Sequence, residues 1–317
     1  MPQIPDVVVY RVPMRTRFRG ITVREGLLLR GDAGWAEFSP FLDYDARECV
    51  PWLVAARASA DVAWPTPVRD AVPVNCTVPA VGPEQAAAVV TAGRGCRTAK
   101  VKVAEPGQSL ADDVARVEAV HDALGPGGRV RVDANGGWDV DAAVAAVAAL
   151  DRVAGGLEYV EQPCASVEDL AAVRRRVDVP VAADESIRRA ADPYRVVELE
   201  AADVAVLKVQ PLGGVAACLE IAERIGLPVV VSSALESSIG IAAGVALAAA
   251  LPELPYACGL ATVQLLTADV VARPLLPVDG LLPVTRPVPE AEALRAVTAD
   301  DETTARWLAR LAEVEAA

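Results

Sequence analysis

Short, valine-rich apolar runs alternate with alanine-rich stretches along most of this chain, and most of the runs carry a polar residue at or next to their end. The runs lie at 72–78 (VPVNCTV), 99–103, 129–134 (RVRVDA), 157–162 (LEYVEQ), 180–184 (PVAAD), 204–209 (VAVLKV), 228–232 (PVVVS) and 257–261 (ACGLA). Runs of this length and continuity read as strands buried on both faces, and the helical stretches between them make successive strands parallel. Start signals open several helices: Pro83, Ser109 with Asp112, Ser166 with Asp169, and Asp192-Pro193. Gly95, Gly125 and Gly226 mark ends. Eight such units predict an α/β chain folded as a parallel (β/α)8 barrel, with a doubly wound sheet as the alternative.

A barrel of this kind needs about 250 residues, and the chain has 317. The surplus lies at the ends. Residues 1–71 hold a hairpin-like stretch, ITVREGLLLRGDAGWAEFSP, and then Arg/Ala-rich segments. Residues 264–317 are Pro-rich at first and then end in ETTARWLARLAEVEAA, which predicts a helix. The two ends are expected to build one discontinuous α+β capping domain around a barrel at 72–263. A net charge of −13 argues against a nucleic-acid surface. No apolar run of about 20 residues is present and Met1–Pro13 is no signal peptide, so a cytoplasmic protein that spans no membrane is expected. The six cysteines form no CxxC pair and read as buried, reduced thiols.

Only three of the thirty basic residues are lysine: Lys100, Lys102 and Lys208. A chain that uses arginine wherever a generic cation suffices has kept lysine at three places. Arginine is always protonated, whereas a lysine can be driven toward the free amine. All three fall on predicted strands. The period of two in TAKVKVA puts Lys100 and Lys102 on one face, where their mutual repulsion is expected to lower the pKa of at least one.

Asp133, Glu161, Asp184 and Lys208 end four successive strands, separated by 28, 23 and 24 residues. Three carboxylates would then converge at the C-terminal mouth of a barrel, where active sites of this architecture lie. Hard oxygen donors without histidine or cysteine suit Mg²⁺, with Mn²⁺ able to substitute. Helix N-capping is the other reading of each acid taken singly. Lys102 and Lys208 stand four strands apart, so a small-molecule carboxylate held between them would have its α-carbon flanked by amines, and a divalent cation would stabilise the enolate.

K-x-K at 100–102, D-x-N at 133–135, E-Q-P at 161–163, D-E-S at 184–186 and the lysine of VLKVQPLGG resemble the muconate-lactonizing branch of the enolase superfamily. Arg131 in RVDANGGW, the segment SSALESSIG at 232–240 and the short length resemble its dehydratase members. The resemblance spans barrel and cap. It implies a syn dehydration of 2-succinyl-6-hydroxy-2,4-cyclohexadiene-1-carboxylate in menaquinone biosynthesis. It also implies that Lys102 removes the α-proton and then protonates the departing hydroxide, that Lys208 stabilises the enolate, and that Lys100 keeps the Lys102 pKa low. Asp133, Glu161 and Asp184 would hold Mg²⁺, supported by Asn135 and Glu185. Arg131 would brace the lysine pair, or else form a buried ion pair. Ser232 and Ser233, with a backbone amide near Gly259, would bind the succinyl tail, or else serve turn and helix capping.

A racemase or epimerase and a cycloisomerase share these residues and remain open. A Schiff-base aldolase would not need the acids, and an inactive scaffold would not need the intact constellation. A monomer is expected. His121 sits near the predicted apolar stripe Leu110, Val114, Val117, Leu124 and reads as structural. Gly213-Gly214 reads as either a phosphate loop or close helix packing. Trp35, Trp52 and Trp64 read as cap core. Phe18–Thr22 is a candidate mobile lid, although the short N-terminal region has no clear lid motif.

Overall fold

The computed structural model describes residues 4–189 and 192–317. Alternating apolar residues near the N-terminus build β1 (Val7–Phe18), which pairs antiparallel with β2 (Ile21–Gly31), itself paired with β3 (Gly34–Phe38). The expected lid at 18–22 is the tight turn between β1 and β2. Phe18 pairs with Ile21, while Arg19 and Gly20 take positive φ (50° and 76°). A reciprocal Asp45–Glu48 capping box starts α1 (Ala46–Asp61).

The repeating part follows as β4 (Ala71–Pro73), β5 (Cys76–Val78), α2 (Pro83–Thr91), β6 (Thr98–Lys102), α3 (Leu110–Leu124), β7 (Arg129–Asp133) and α4 (Val140–Ala154). It continues through β8 (Leu157–Glu161), α5 (Val167–Arg174), β9 (Val181–Ala183), α6 (Glu185–Arg188), α7 (Arg195–Glu198), β10 (Val204–Lys208), α8 (Val215–Ile225), β11 (Val229–Ser232) and α9 (Ser238–Ala250). The chain ends in β12 (Leu281–Pro283), α10 (Ala291–Val297) and α11 (Asp301–Glu315).

Strands β5 to β11 form one parallel seven-stranded sheet in chain order. The predicted eighth strand, 257–261, appears only as bridges. Gly259 pairs with Ser232 at the end of β11, and Cys258 with Val74 just before β5. The Gly259 amide donates to the Val231 carbonyl (2.8 Å) and the Cys258 amide to the Pro73 carbonyl (2.7 Å). One short segment thus reaches both edges of a curled sheet. The predicted first strand, 72–78, is divided. Pro73 has no N–H for a ladder, and the chain changes partner after it: β4 pairs antiparallel with β12, and only β5 joins the curled sheet.

Start signals act as the residues predict at Pro83, Ser109 and Ser166. Gly125 and Gly226 cap helix ends, but Gly95 does not: α2 is capped by Ala92. Gly95 lies in the next turn at φ 85°, where a Cβ would stand 2.7 Å from the Asp279 Cα. Gly213 and Gly214 take positive φ (87° and 117°), and a Cβ on Gly214 would lie at ordinary contact distance, 3.5 Å, from the Ala55 Cα of α1. The buried face of α3 differs from the predicted stripe. Leu110 is exposed and Val114 half-buried, while Asp113 and Arg116 are buried beside Val117, Val120 and Leu124.

Two cores result. One lies between the curled sheet and its helices. The other joins Tyr10, Leu28 and Phe38 of the N-terminal sheet to Trp35 and Trp52, and to Trp307 and Val314 of α11. Trp64, half-buried, packs on the first core. All six cysteines are buried and unpaired. Burial pushes Cys76 up to about 12 and Cys96, Cys164 and Cys258 up to about 11. Among the described residues no helix is long and apolar enough to cross a membrane.

Candidate active site

Residues paired across a parallel sheet point the same way, and every second residue of a strand faces the same side. Register therefore stacks two polar tiers on the concave face. Lys102 pairs with Asp133 and Asp133 with Glu161; one tier below, Lys100 pairs with Arg131 and Arg131 with Tyr159. Lys208 pairs with Ser232 across β10 and β11. Asp184 follows β9 directly and occupies the N-cap position of α6, but its side chain makes no capping bond. Its carboxylate instead meets Lys208 and Arg188.

The three lysines meet three acids there. Lys100 Nζ lies 3.0 Å from Asp133 Oδ2 and 2.7 Å from Glu161 Oε1. Lys102 Nζ donates to the same Asp133 Oδ2 (2.6 Å) and to Asn135 Oδ1 (2.6 Å). Lys208 Nζ donates to Asp184 Oδ2 (2.5 Å). Asn135 Nδ2 donates to Glu185 Oε1 at 3.1 Å. The expected lysine repulsion does not act on Lys100. Burial works against its charge, but Asp133 and Glu161 outweigh burial and hold its pKa well above the ordinary value. The two ammonium groups share a carboxylate oxygen, so attraction to the acid replaces repulsion as the leading interaction.

The acids divide by the cations they face. Burial raises all three, yet Lys100 and Lys102 hold Asp133 well below the usual carboxylate range, and Arg188 with Lys208 does the same for Asp184. Glu161 moves upward, because burial and then the neighbouring Asp133 outweigh Lys100. Its Oε2 is buried with no hydrogen-bond partner. As the side chains stand, no three or more carboxylate, imidazole or thiol groups among the described residues are arranged to hold a metal ion. Lysine ammonium groups occupy the carboxylates instead. The donor set itself is hard, buried and anionic, and the orphaned Glu161 oxygen calls for a cation.

Arg131 is not brought to this tier. Nε pairs with Glu158, and Nη1 donates to the Ala257 carbonyl (2.7 Å) and Tyr159 hydroxyl (3.1 Å). It forms the buried ion pair that was the other reading, because its head is taken up in the lower tier by Glu158, Tyr159 and the Ala257 carbonyl. Ser232, Ser233 and Gly259 all line the mouth cavity. Ser233 Oγ bonds Thr262 Oγ1 (2.8 Å), and a Cβ on Gly259 would stand 2.6 Å from Ser232 Oγ. Neither serine caps α9; Ser237 does. His121 lies on α3, where a Cβ on Gly155 would stand 3.2 Å from its ring.

The cavity, about 620 Å³, takes Lys100, Lys102, Asn135 and Lys208 as its floor and the turn Arg17–Gly20 as part of its wall. The Phe18 ring centre lies 5.4 Å from Lys102 Nζ. Sequence reasoning passed over Arg188. Its Nε meets Asp184 Oδ1 (2.9 Å), Nη2 meets Glu185 Oε1 (2.5 Å) and Nη1 meets the Tyr44 hydroxyl (2.6 Å), so it ties the acids to the N-terminal part. The available signal was its spacing of four from Asp184 on a helix.

Behind the 232–237 wall, Glu37 accepts bonds from the Tyr10 hydroxyl (2.7 Å) and the Ser237 and Gly240 amides (3.0 and 3.1 Å). Glu236, buried nearby, accepts from the Ala234 amide (2.6 Å), and burial followed by Glu37 pushes it up to about 7. The folded chain therefore keeps a proton that the unfolded chain releases near the ordinary glutamate value. Between roughly pH 4.5 and 7 this group makes stability fall as pH rises. Glu236→Gln keeps the acceptor and removes the ionisation. It should be more stable than the parent at pH 8 by on the order of 2–3 kcal/mol and nearly equal at pH 5. Denaturant titrations at the two pH values check this; equal stabilities at pH 8 would refute it.

Residues 83–289 match the family described as enolase C-terminal domain-like, and residues 9–60 match enolase N-terminal domain-like. The chain is 67% identical over 308 residues to o-succinylbenzoate synthase of Thermobifida fusca, covering 97% of this chain and 95% of that one. It is 56% identical to o-succinylbenzoate synthase of Mycolicibacterium smegmatis, covering 98% and 97% of the two chains. Its fold is similar to that of the substrate-liganded L-Ala-D/L-Glu epimerase of Bacillus subtilis, with TM-score 0.76 at 22% identity over 89% of this chain and 96% of that one. With near-complete coverage at such identity, and with lysines facing acids at strand ends, this chain belongs to the o-succinylbenzoate synthase family of the enolase superfamily.

Proposed function

We propose that this chain is an o-succinylbenzoate synthase: it removes water from 2-succinyl-6-hydroxy-2,4-cyclohexadiene-1-carboxylate to give o-succinylbenzoate. The observation that carries this is the placement of Lys102 and Lys208 on β6 and β10 around one cavity, in a chain so close to synthases of that name. We read the curled sheet with 257–261 as a (β/α)8 barrel, and residues 1–71 with 264–317 as its cap.

Asp133, Glu161 and Asp184 would hold Mg²⁺, and Asn135 and Glu185 would keep Lys102 and the acids in place. When bound, the ion supplies Lewis-acid stabilisation of the substrate carboxylate as charge builds on it. Lys102 takes the α-proton. The electron pair left on carbon moves toward the carboxylate, then returns to expel hydroxide from the neighbouring ring carbon. The Lys102 ammonium returns its proton to that hydroxide, water leaves, and the ring becomes aromatic. One base serves both transfers because the elimination is syn. Lys208 faces the opposite side and opposes the growing negative charge. Ser232, Ser233 and the Gly259 backbone are placed to take the succinyl tail, in a cavity whose wall also carries Arg17 and Arg19.

Under the alternative epimerase reading, Lys102 and Lys208 would both act as bases. The Lys208→Arg variant separates the two modes. Arginine keeps the positive charge and cannot accept a proton. Under dehydration it should keep a measurable fraction of turnover, roughly 1–10% of the parent, as expected when only an electrostatic interaction is weakened. Under racemisation it should have none. Loss of the diene absorbance, run beside α-proton exchange of N-succinylamino acids in D₂O, is the measurement. Efficient exchange without dehydration would overturn the proposal.

A further inference from the structure

Charged residues rarely occupy the buried face of a helix unless they are paired, yet α3 turns Asp113 and Arg116 inward. We infer that this pair positions the base-bearing end of β6, together with the cavity wall beside it. Arg116 Nη1 meets Asp113 Oδ1 at 2.7 Å. The remaining bonds go mostly to backbone. Arg116 Nη1 donates to the Lys102 carbonyl (2.9 Å), Nε to the Val81 carbonyl (2.6 Å) and Nη2 to Gln108 Oε1. Asp113 Oδ2 accepts from the Ala104 amide (2.9 Å). Gln108 Nε2 passes the connection on to the Ala80 carbonyl (2.9 Å).

These targets bracket Lys102. The pair holds its carbonyl and the amide two residues later. Ala104 sits at φ 58°, a region that alanine avoids unless its surroundings impose it. Ala80 and Gln108 line the cavity. Packing needs no charge here, since Val117, Val120 and Leu124 already bury the same face. An aliphatic pair would avoid the desolvation cost of two buried ions. What it could not do is fix three chain segments by directional bonds. The amine of Lys102 makes two 2.6 Å contacts, to Asp133 and Asn135, and both depend on where its backbone stands. A shift of about 1 Å at a reacting group costs on the order of 10²-fold in rate.

The inference rests on Lys102 as the base. Its test is the double variant Asp113→Leu/Arg116→Met, which removes both charges without leaving one buried alone. The folded double variant should show kcat lowered about 10²-fold with KM within about threefold. The isotope effect on kcat with α-deuterated substrate should rise, because proton removal becomes the slow step. A role confined to stability would change Tm and the folded fraction, but leave kcat per folded molecule and the isotope effect at parent values; that result overturns the inference. Should the double variant not fold, Arg116→Lys decides. Its ammonium can keep Asp113 but cannot span Val81, Lys102 and Gln108 together. A fall in kcat of about tenfold or more with a raised isotope effect supports positioning, and parent values refute it. Lys102→Ala is measured alongside. If it retains turnover, the base assignment has failed; if it is inactive while the double variant runs at full rate, only the positioning role has.

Discussion

Lys102→Arg should lower kcat/KM by on the order of 10³-fold or more, with the fold intact. A guanidinium does not give up its proton near neutral pH, so it cannot take one from carbon. The substitution is demanding because little else changes. Charge is conserved, and Asp133 Oδ2 and Asn135 Oδ1 remain as acceptors for the new head. In a chain that carries 27 arginines and three lysines, the exchange is also the one its composition favours everywhere else. Rates are to be compared at several pH values on variants whose circular dichroism matches the parent. A Lys102→Arg enzyme at near-parent rate would place the base elsewhere.

Chelation by EDTA should abolish turnover, and Mg²⁺ or Mn²⁺ should restore it. Asp133→Asn should cost several kcal/mol of transition-state stabilisation, roughly 10³-fold in rate. Asp133 is the most exposed to this test because one of its oxygens serves both Lys100 and Lys102. Its loss would remove a donor for the ion and leave two ammonium groups facing each other. Calorimetric titration of Mg²⁺ into the parent and the variant gives a readout independent of turnover. Full activity in EDTA, or unchanged Mg²⁺ affinity in Asp133→Asn, would sink the assigned metal site.

The sequence made the strand ends legible because a lysine in an arginine-rich chain and an acid at the close of a valine run are both local signals. Lys100, Lys102, Asp133, Glu161, Asp184 and Lys208 needed only a period of two and the βα spacing to be brought together. What failed depended on depth and on neighbours distant in sequence. Arg131 and Asp133 share a face, and only the register of adjacent strands shows that two residues along the strand is a different tier. A lowered pKa was expected for at least one of the two strand lysines; Lys100 is not that one, because its acids come from two other strands, which a view along one strand omits. The predicted stripe on α3 took Leu110 as buried because apolar periodicity cannot foresee a buried ion pair. Arg188 had a local signal only toward Asp184; its other partner, Tyr44, lies 144 positions away, a distance at which sequence spacing carries no information.

The burial of all six thiols has a practical consequence. Thiolate is the reactive form of cysteine, and burial pushes every one of these six groups upward. The chain is its own silent background for labelling chemistry. A single cysteine introduced at the exposed Thr22, beside the turn over the cavity, would be the only thiol open to a maleimide dye. A fluorescent reporter of that turn can therefore be attached without first stripping the native cysteines out of either core.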